Sequence, residues 1–234
     1  MSETTNNKEK FLNHLADRLG TPRHSLGDKK IEAVHDLAQT TLTDKTQDEL
    51  LEIAKEKCKT IHTPVVEVNY ADLLPKLEEL IADYGDGNLL FPDDARFKEF
   101  ELDNLLDKED AHIWKRGNEF RDENIRVAAD TNVAVAFAEF FLAESGSVVV
   151  ESNAGQGRSL HFLPKRYISI IPKSKIVPRS TQAAAYYTEK RERGEETGAI
   201  HFISGPSNSG DIEMQLVVGV HGPLEVTYLV IMDK

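Results

Sequence analysis

Cysteine and tryptophan are nearly absent from this chain of 234 residues, which contains one of each. A single cysteine excludes a disulfide within the chain, and it excludes an iron–sulfur cluster held by cysteines of this chain alone. Cys58 falls on one helical face with Leu50, Leu51 and Ala54. This spacing predicts a small buried side chain rather than a redox group.

Long apolar runs are also absent. No segment approaches the ~20 apolar residues that are needed to span a bilayer. The N-terminal residues are polar and lack the apolar stretch of a signal peptide. The sequence therefore predicts a cytoplasmic protein with no membrane span.

Positive charge is scarce, since 28 Lys and Arg residues face 40 Asp and Glu residues and the net charge is −12. This balance opposes nonspecific binding of nucleic acid. The eight histidines are scattered and show none of the paired spacings of metal sites. We therefore predict no nucleic-acid partner and no metal site.

The hydrophobic periodicity predicts an N-terminal arm and an α/β domain. Residues 5–19 have the apolar spacing of an amphipathic helix, and a linker extends from there to residue 43. From residue 44 to residue 234, predicted helices alternate with predicted strands. The predicted helices cover 45–61, 71–84, 97–106, 179–193 and 209–217, and the predicted strands cover 64–68, 88–91, 111–114, 125–128, 167–171, 199–203 and 224–232. Such alternation is typical of a mostly parallel sheet with helices on both faces.

Residues 133–151 are ambiguous between the two periodicities. The spacing of Val133, Ala136 and Phe137 fits a short helical turn. The apolar runs on either side of Ser145-Gly146 fit a β-hairpin. We predict the helical turn followed by the hairpin.

A glycine- and serine-rich segment follows the predicted strand 199–203. The segment Gly205–Glu213 reads GPSNSGDIE, and a GVHGP segment follows at 219–223. If residues 209–217 form a helix, its N-terminal N–H groups favour an anion. The same residue types also cap a helix that binds nothing, which leaves both interpretations open. The candidate ligand-binding residues here are Gly205, Ser207, Asn208, Ser209, Asp211, Glu213 and His221.

A second glycine pair lies at 155–158, where Gly155, Gln156, Gly157 and Arg158 follow a predicted strand. The backbone of such a turn can surround an anion, although the spacing alone favours a plain turn. The segment 158–193 contains nine Lys or Arg residues and two acidic residues. We therefore include these four residues as candidate ligands of a small carboxylate or a phosphate-bearing molecule.

Glu144 precedes the predicted Ser145-Gly146 turn. A fixed carboxylate between two buried strands can act as a nucleophile or a general base. The spacing alone favours a solvent-exposed turn residue. Glu144 is the one candidate catalytic residue.

Several of these segments resemble the LUD (lactate utilization) domain family. The segment 202–223 is similar to the GPS…DIE…GVHGP signature of that family, and 143–150 is similar to its AETGT segment, with serines at 145 and 147 in place of threonines. The segments 155–158 and 163–168 also fit. The opening at 11–23 resembles that of the lactate utilization protein C subgroup of the family. Gly210 stands where the family usually has Ala.

The resemblance implies a fold similar to the sugar-isomerase and CoA-transferase superfamily. It also implies an accessory role in oxidation of L-lactate to pyruvate during growth on lactate, alongside two iron–sulfur partner proteins that carry the clusters. No cofactor is expected in this chain. The alternatives are a stand-alone isomerase, cyclo-ligase or CoA-transfer enzyme that uses Glu144, and a metabolite sensor.

Overall fold

The computed structural model of the chain describes residues 3–23, 34–212 and 215–234. The chain divides into two compact units, Met1–Asp36 and Leu37–Lys234, and the division precedes the predicted boundary at residue 43. The helices are α1 (Glu3–Leu19), α2 (Leu37–Thr40), α3 (Gln47–Thr60), α4 (Leu73–Asp83), α5 (Arg96–Glu99), α6 (Arg121–Asp130), α7 (Ser159–Phe162) and α8 (Ser180–Glu192). The strands are β1 (Val65–Val68), β2 (Leu89–Phe91), β3 (Ala111–Ile113), β4 (Val133–Phe137), β5 (Phe140–Leu142), β6 (Ser147–Glu151), β7 (Arg166–Pro172), β8 (Ile176–Val177), β9 (Ile200–Ile203), β10 (Asn208–Ile212), β11 (Gln215–Val218) and β12 (Glu225–Ile231).

A six-stranded parallel sheet forms the centre of the second unit, in the order β1-β12-β7-β4-β2-β3. Along β4, Val133, Val135 and Phe137 join one hydrophobic cluster. Ala134 and Ala136 join a second cluster on the opposite face. Because successive side chains of a strand point to opposite faces, the sheet is buried on both sides. The predicted α/β fold with a mostly parallel sheet is confirmed.

A second sheet of four strands, in the order β8-β5-β6-β9, packs against one face of the main sheet. Phe141 and Val148 of this second sheet belong to the same cluster as Tyr228 of the main sheet. The other face of the second sheet carries Leu142 and Val149, which pack against α8. The predicted hairpin around Ser145-Gly146 is confirmed, because β5 and β6 pair on either side of it.

The predicted helix 97–106 is only partly right, since the structure has the short α5 and a separate 3₁₀ turn at Asp103–Leu105 there. Three other sequence-based predictions of local structure are wrong. Residues 125–128 lie in helix α6 rather than in a strand, because the acidic residues before them belong to its first turn. Residues 133–137 form strand β4 rather than a helical turn. This strand is buried on both faces, so it lacks the alternation of polar and apolar residues that marks a half-exposed strand.

The third error concerns the predicted helix 209–217. This segment forms the antiparallel pair β10 and β11, with Asn208 opposite Val218 and Ser209 opposite Val217. Gly210 is a poor helix former, and β-branched Val217 and Val218 favour strands. In its described residues, the signature segment therefore forms paired strands rather than the start of a helix.

Candidate functional site

Ser207 holds the two parts of the signature segment together. Its N–H donates to the carbonyl of Pro223 at 2.9 Å, and its own carbonyl accepts from the N–H of Gly219 at 3.0 Å. Its Oγ accepts from the N–H of His221 at 3.0 Å. The structure therefore brings the segments 205–209 and 219–223 into contact, as three bonds to one serine.

Gly205 is packed against the protein's own backbone. Its φ is +73°, and an added Cβ would lie 2.5 Å from the carbonyl oxygen of Ile61 and from Oγ1 of Thr63. Its N–H donates to the buried hydroxyl of Tyr228 at 3.3 Å, and that hydroxyl donates to the carbonyl of Ile203 at 3.0 Å. The close approach that the glycine allows is therefore to the end of α3.

The segment 143–147, which reads AESGS, lies beside the signature segment at 202–223. The hydroxyl of Ser147 lies 2.6 Å from that of Ser204 and 2.9 Å from that of Ser145. The Cys58 thiol donates to the carbonyl of Gly146 at 3.7 Å, and burial raises the pKa of that thiol to about 12. The thiol is therefore protonated at neutral pH and serves as a packed side chain.

Glu144 forms an ion pair with Arg179. The carboxylate Oε2 lies 2.9 Å from Nε of Arg179, and the two side chains are 42% and 23% exposed. Arg179 also donates from Nη1 to the carbonyl of Leu37 at 2.8 Å. The backbone N–H of Glu144 donates to the carbonyl of Pro178. The candidate carboxylate is thus fixed in a turn, against the start of α8.

The glycine turn at 155–157 lies beyond the carboxyl ends of β2 and β3. The carbonyl of Gly155 accepts from the N–H of Asp93, which follows β2. A Cβ on Gly155 would overlap the Asp93 carbonyl, and one on Gly157 would overlap the indole of Trp114, which follows β3. Gln156 is buried, and its Nε2 donates to the carbonyl of Glu151 at 2.8 Å. Both glycines are therefore required for packing against the main sheet.

This end of the sheet is also where the strand order reverses. From β2 the chain moves outward to β3, and it then returns through β4 toward β7 and β12. In open parallel sheets, ligands bind beyond the carboxyl ends of the strands at such a reversal. The position of the 155–158 turn therefore favours it as a ligand site.

A cleft of about 480 Å³ opens beside this turn, between α6, α7 and the ends of β6 and β9. Its lining residues are Trp114, Arg121, Ile125, Ser152, Gly157, Arg158, Ser159, Phe162, Leu163 and Ala199. Both ionisable side chains of this lining are arginines. Arg158 is exposed, and within the described parts of the chain its guanidinium has no hydrogen bond or ion pair.

His201 lies close behind the cleft wall. Its Nε2 is 2.8 Å from Oγ of the lining residue Ser152, and its ring packs edge-on against Phe162. Burial, and then the positive charge of Arg158, lower the pKa of His201. A neutral His201 is therefore favoured next to Arg158.

The basic segment 158–193 is largely neutralised by acids from elsewhere in the chain. Five of its cations form ion pairs: Arg166 with Glu225, Lys173 with Asp48, Arg179 with Glu144, Lys190 with Glu151, and Arg193 with Glu195. Arg158 is one of the other cations of this segment. Because it has no ion pair among the described residues, Arg158 is more available to an anionic ligand than these five cations.

The predicted site residues are distributed over separate places. Gly157 and Arg158 line the 480 Å³ cleft, whereas Asn208 lines a different cavity of about 230 Å³ with His62 and Tyr84. Ser209 is buried and His221 is exposed. The backbone of Asp211 lies in β10, and Glu213 lies outside the described residues.

The sequence-based prediction did not include Trp114 or Arg121. Trp114 is the last residue of the predicted strand 111–114 and the single tryptophan of the chain. Arg121 begins α6, which was partly predicted as a strand. The signals were the position of Trp114 at a strand end and the position of Arg121 at a helix start.

Among the residues that the structure describes, no three His, Cys, Asp or Glu side chains come together as a metal site. In the same residues, no helix is long and apolar enough to cross a membrane.

Known proteins resemble the chain over most of its length. Residues 51–231 match the LUD domain family model. "Lactate utilization protein C" of Geobacillus thermodenitrificans is 44% identical over 238 residues, which is 99% of this chain and 98% of that protein. The protein of the same name from Bacillus subtilis is 40% identical over 236 residues, with 99% and 98% covered.

One solved structure has a similar fold. The crystal structure of a DUF162 family protein from Deinococcus radiodurans has a TM-score of 0.57 and 15% sequence identity, and it covers 80% of this chain and 99% of that chain. At that identity the likeness concerns the fold. With the family match and the full-length relatives, the chain belongs to the LUD domain family.

Proposed function

We propose that the chain is an accessory subunit for L-lactate degradation, which permits growth on lactate by supporting oxidation of lactate to pyruvate. The observation that carries this proposal is the similarity, over nearly the full length, to relatives named lactate utilization protein C, at 40% to 44% identity. A relationship that spans both units of the chain favours a shared role for the whole protein.

The proposal includes two iron–sulfur partner proteins. Oxidation of lactate to pyruvate removes two electrons and two protons, and an acceptor must take the electrons. A cluster held by cysteines needs about four of them, and this chain has one, Cys58, which is buried. The partner proteins would therefore carry the redox centres, and no cofactor is assigned to this chain.

The proposal also includes a bound anion. Arg158 lines the cleft and its guanidinium has no partner among the described residues, and a guanidinium binds carboxylate or phosphate with two parallel hydrogen bonds. A small carboxylate or a phosphate-bearing molecule is the ligand that this arrangement fits.

Deletion of the gene in the organism that encodes it tests the pathway. We expect loss of growth on L-lactate, normal growth on glucose, and restoration of growth by the wild-type gene. An affinity-tagged chain from lactate-grown cells should co-purify with two proteins that contain iron and sulfide. Normal growth of the deletion strain on lactate, or isolation of the chain without associates, would contradict the proposal.

Glu144 provides the test of the enzyme alternative. Its fixed position against Arg179 is the observation that favours that alternative. Glu144→Gln should abolish growth on lactate if the carboxylate reacts, and should leave growth intact if the turn is only structural. Glu195→Gln, which also removes a carboxylate paired with an arginine, is the matched control.

A further inference from the structure

Part of the lining of the 480 Å³ cleft is apolar. We use the name apolar floor for the lining residues Trp114, Phe162 and Leu163. Leu163 is 43% exposed, and both aromatic residues are partly exposed. The missing Cβ of Gly157 allows the indole to lie against the backbone of the turn. A ligand that covers this floor would remove apolar surface from water.

The charged part of the same lining is cationic, and we call it the cationic rim. Its charged side chains are Arg121 and Arg158, and the cleft lining contains no acidic residue among the described parts of the chain. This is a marked local reversal in a protein with a net charge of −12. Arg121 is exposed and shares its charge with Asp122 at 3.0 Å, whereas Arg158 has no such partner within the described chain. Arg158 is therefore the stronger anion ligand.

The volume of the cleft indicates a ligand larger than lactate. Ligand pockets of roughly 300–1,000 Å³ bury drug-sized molecules, and this cleft lies within that range. A three-carbon hydroxy acid would occupy a small part of it and would leave the apolar floor in contact with water. The combination of an apolar floor and a cationic rim fits a longer molecule with one charged end.

We propose that this cleft binds an amphipathic organic anion, with its carboxylate or phosphate on Arg158 and its apolar body on Trp114, Phe162 and Leu163. The proposal deepens the anion-binding part of the proposed function by naming the class of ligand. It requires neither iron–sulfur partners nor lactate oxidation, so it can be tested on the purified full-length chain.

Trp114 supplies the readout, because it is the single tryptophan of the chain and lines the cleft. Tryptophan fluorescence would be titrated with phenyllactate, phenyl phosphate, lactate, inorganic phosphate and uncharged phenylpropanediol. We expect a saturable change with phenyllactate or phenyl phosphate at much lower concentration than with the other three probes. The tighter of these two identifies the charged group as carboxylate or phosphate.

Variants assign the binding to the cleft. Arg158→Ala should weaken the aromatic anions by about tenfold or more, the effect of losing one charge-assisted contact. Leu163→Ala should weaken them while leaving inorganic phosphate unchanged. Arg126→Ala removes an exposed arginine from the same helix as Arg121, outside the lining, and should have no effect. Circular dichroism checks that each variant is folded.

Three results would overturn the proposal. These are no saturable change with either aromatic anion, equal affinity for lactate and phenyllactate, or equal weakening by Arg158→Ala and Arg126→Ala. Growth of the deletion strain on lactate would contradict the proposed role in lactate degradation and would leave the result of this titration unaffected. The two failures are therefore distinguishable.

Discussion

His161 is a buried, neutral histidine next to the cleft. It is fully buried on α7, and its Nδ1 lies 3.1 Å from the hydroxyl of Tyr167. Burial, with a smaller effect of His201, lowers the pKa of His161 from 6.5 to about 3. The folded protein therefore keeps this ring uncharged at pH values where the unfolded chain protonates it.

The consequence of His161 burial is an acid-sensitive stability. Between pH 6.5 and about 3, the unfolded state holds one more proton at this residue, so the free energy of unfolding falls as the pH falls. We expect a contribution of about 1.4 kcal/mol per pH unit in that window. His161→Gln, which cannot charge, should show a shallower acid loss in urea titrations at several pH values.

His14→Gln is the control for this prediction, because His14 is exposed on α1. An acid slope of His161→Gln equal to that of wild type would contradict the buried, neutral assignment. A steeper slope would do so as well.

The hairpin of β10 and β11 shows at the element scale why a signature segment resists local interpretation. Serine, asparagine and acidic residues after a Gly-Pro pair cap helices, and they also occur in tight turns. Contacts between residues that are far apart in the sequence decide here between a helix and a pair of strands. These include Ser207 with Pro223 and Gly205 with the end of α3.

Two glycines of the signature segment should differ sharply in their tolerance of a side chain. Gly205→Ala places a Cβ at positive φ and against two oxygens, and we expect a cost of roughly 2–4 kcal/mol in the free energy of unfolding. Gly210→Ala meets nothing within 4 Å, and it should be neutral or stabilise by up to about 1 kcal/mol. Denaturant unfolding of the two variants measures both effects.

Gly210→Ala is therefore the matched control for Gly205→Ala. Equal stability of the two variants would show that the end of α3 does not restrict Gly205. The prediction concerns stability alone, so it holds whichever ligand the protein binds.

The sequence predicted individual helices and turns better than it predicted which of them lie next to each other in the fold. Helices 45–61, 71–84 and 179–193 followed from apolar spacing and end signals, and the hairpin at Ser145-Gly146 followed from its turn residues. Arg158 was selected because glycines precede it. The apolar floor of the cleft was not predictable, because Trp114 and Phe162 come from separate elements that meet only through the tertiary fold.

At the scale of the whole molecule, the proposed function assigns the redox chemistry to partner proteins rather than to this chain. Its one thiol is buried, with a pKa raised to about 12. After anaerobic incubation with ferrous iron and sulfide followed by desalting, we expect the purified chain to retain no visible cluster absorption. The co-purified complex, treated identically, is the positive control. Stoichiometric iron on the isolated chain would contradict this expectation.

The strand order has a consequence for the timing of folding. Strand β12 lies between β1 and β7, yet it is the last of the main-sheet strands to be synthesised. While the chain is still emerging from the ribosome, β1 has no neighbour in the main sheet, and β7 has one of its edges open. Such unpaired edges favour association between nascent chains. A ribosome that stalls before residue 225 would therefore present a divided sheet, and chaperones that cover strand edges would be needed most at that moment.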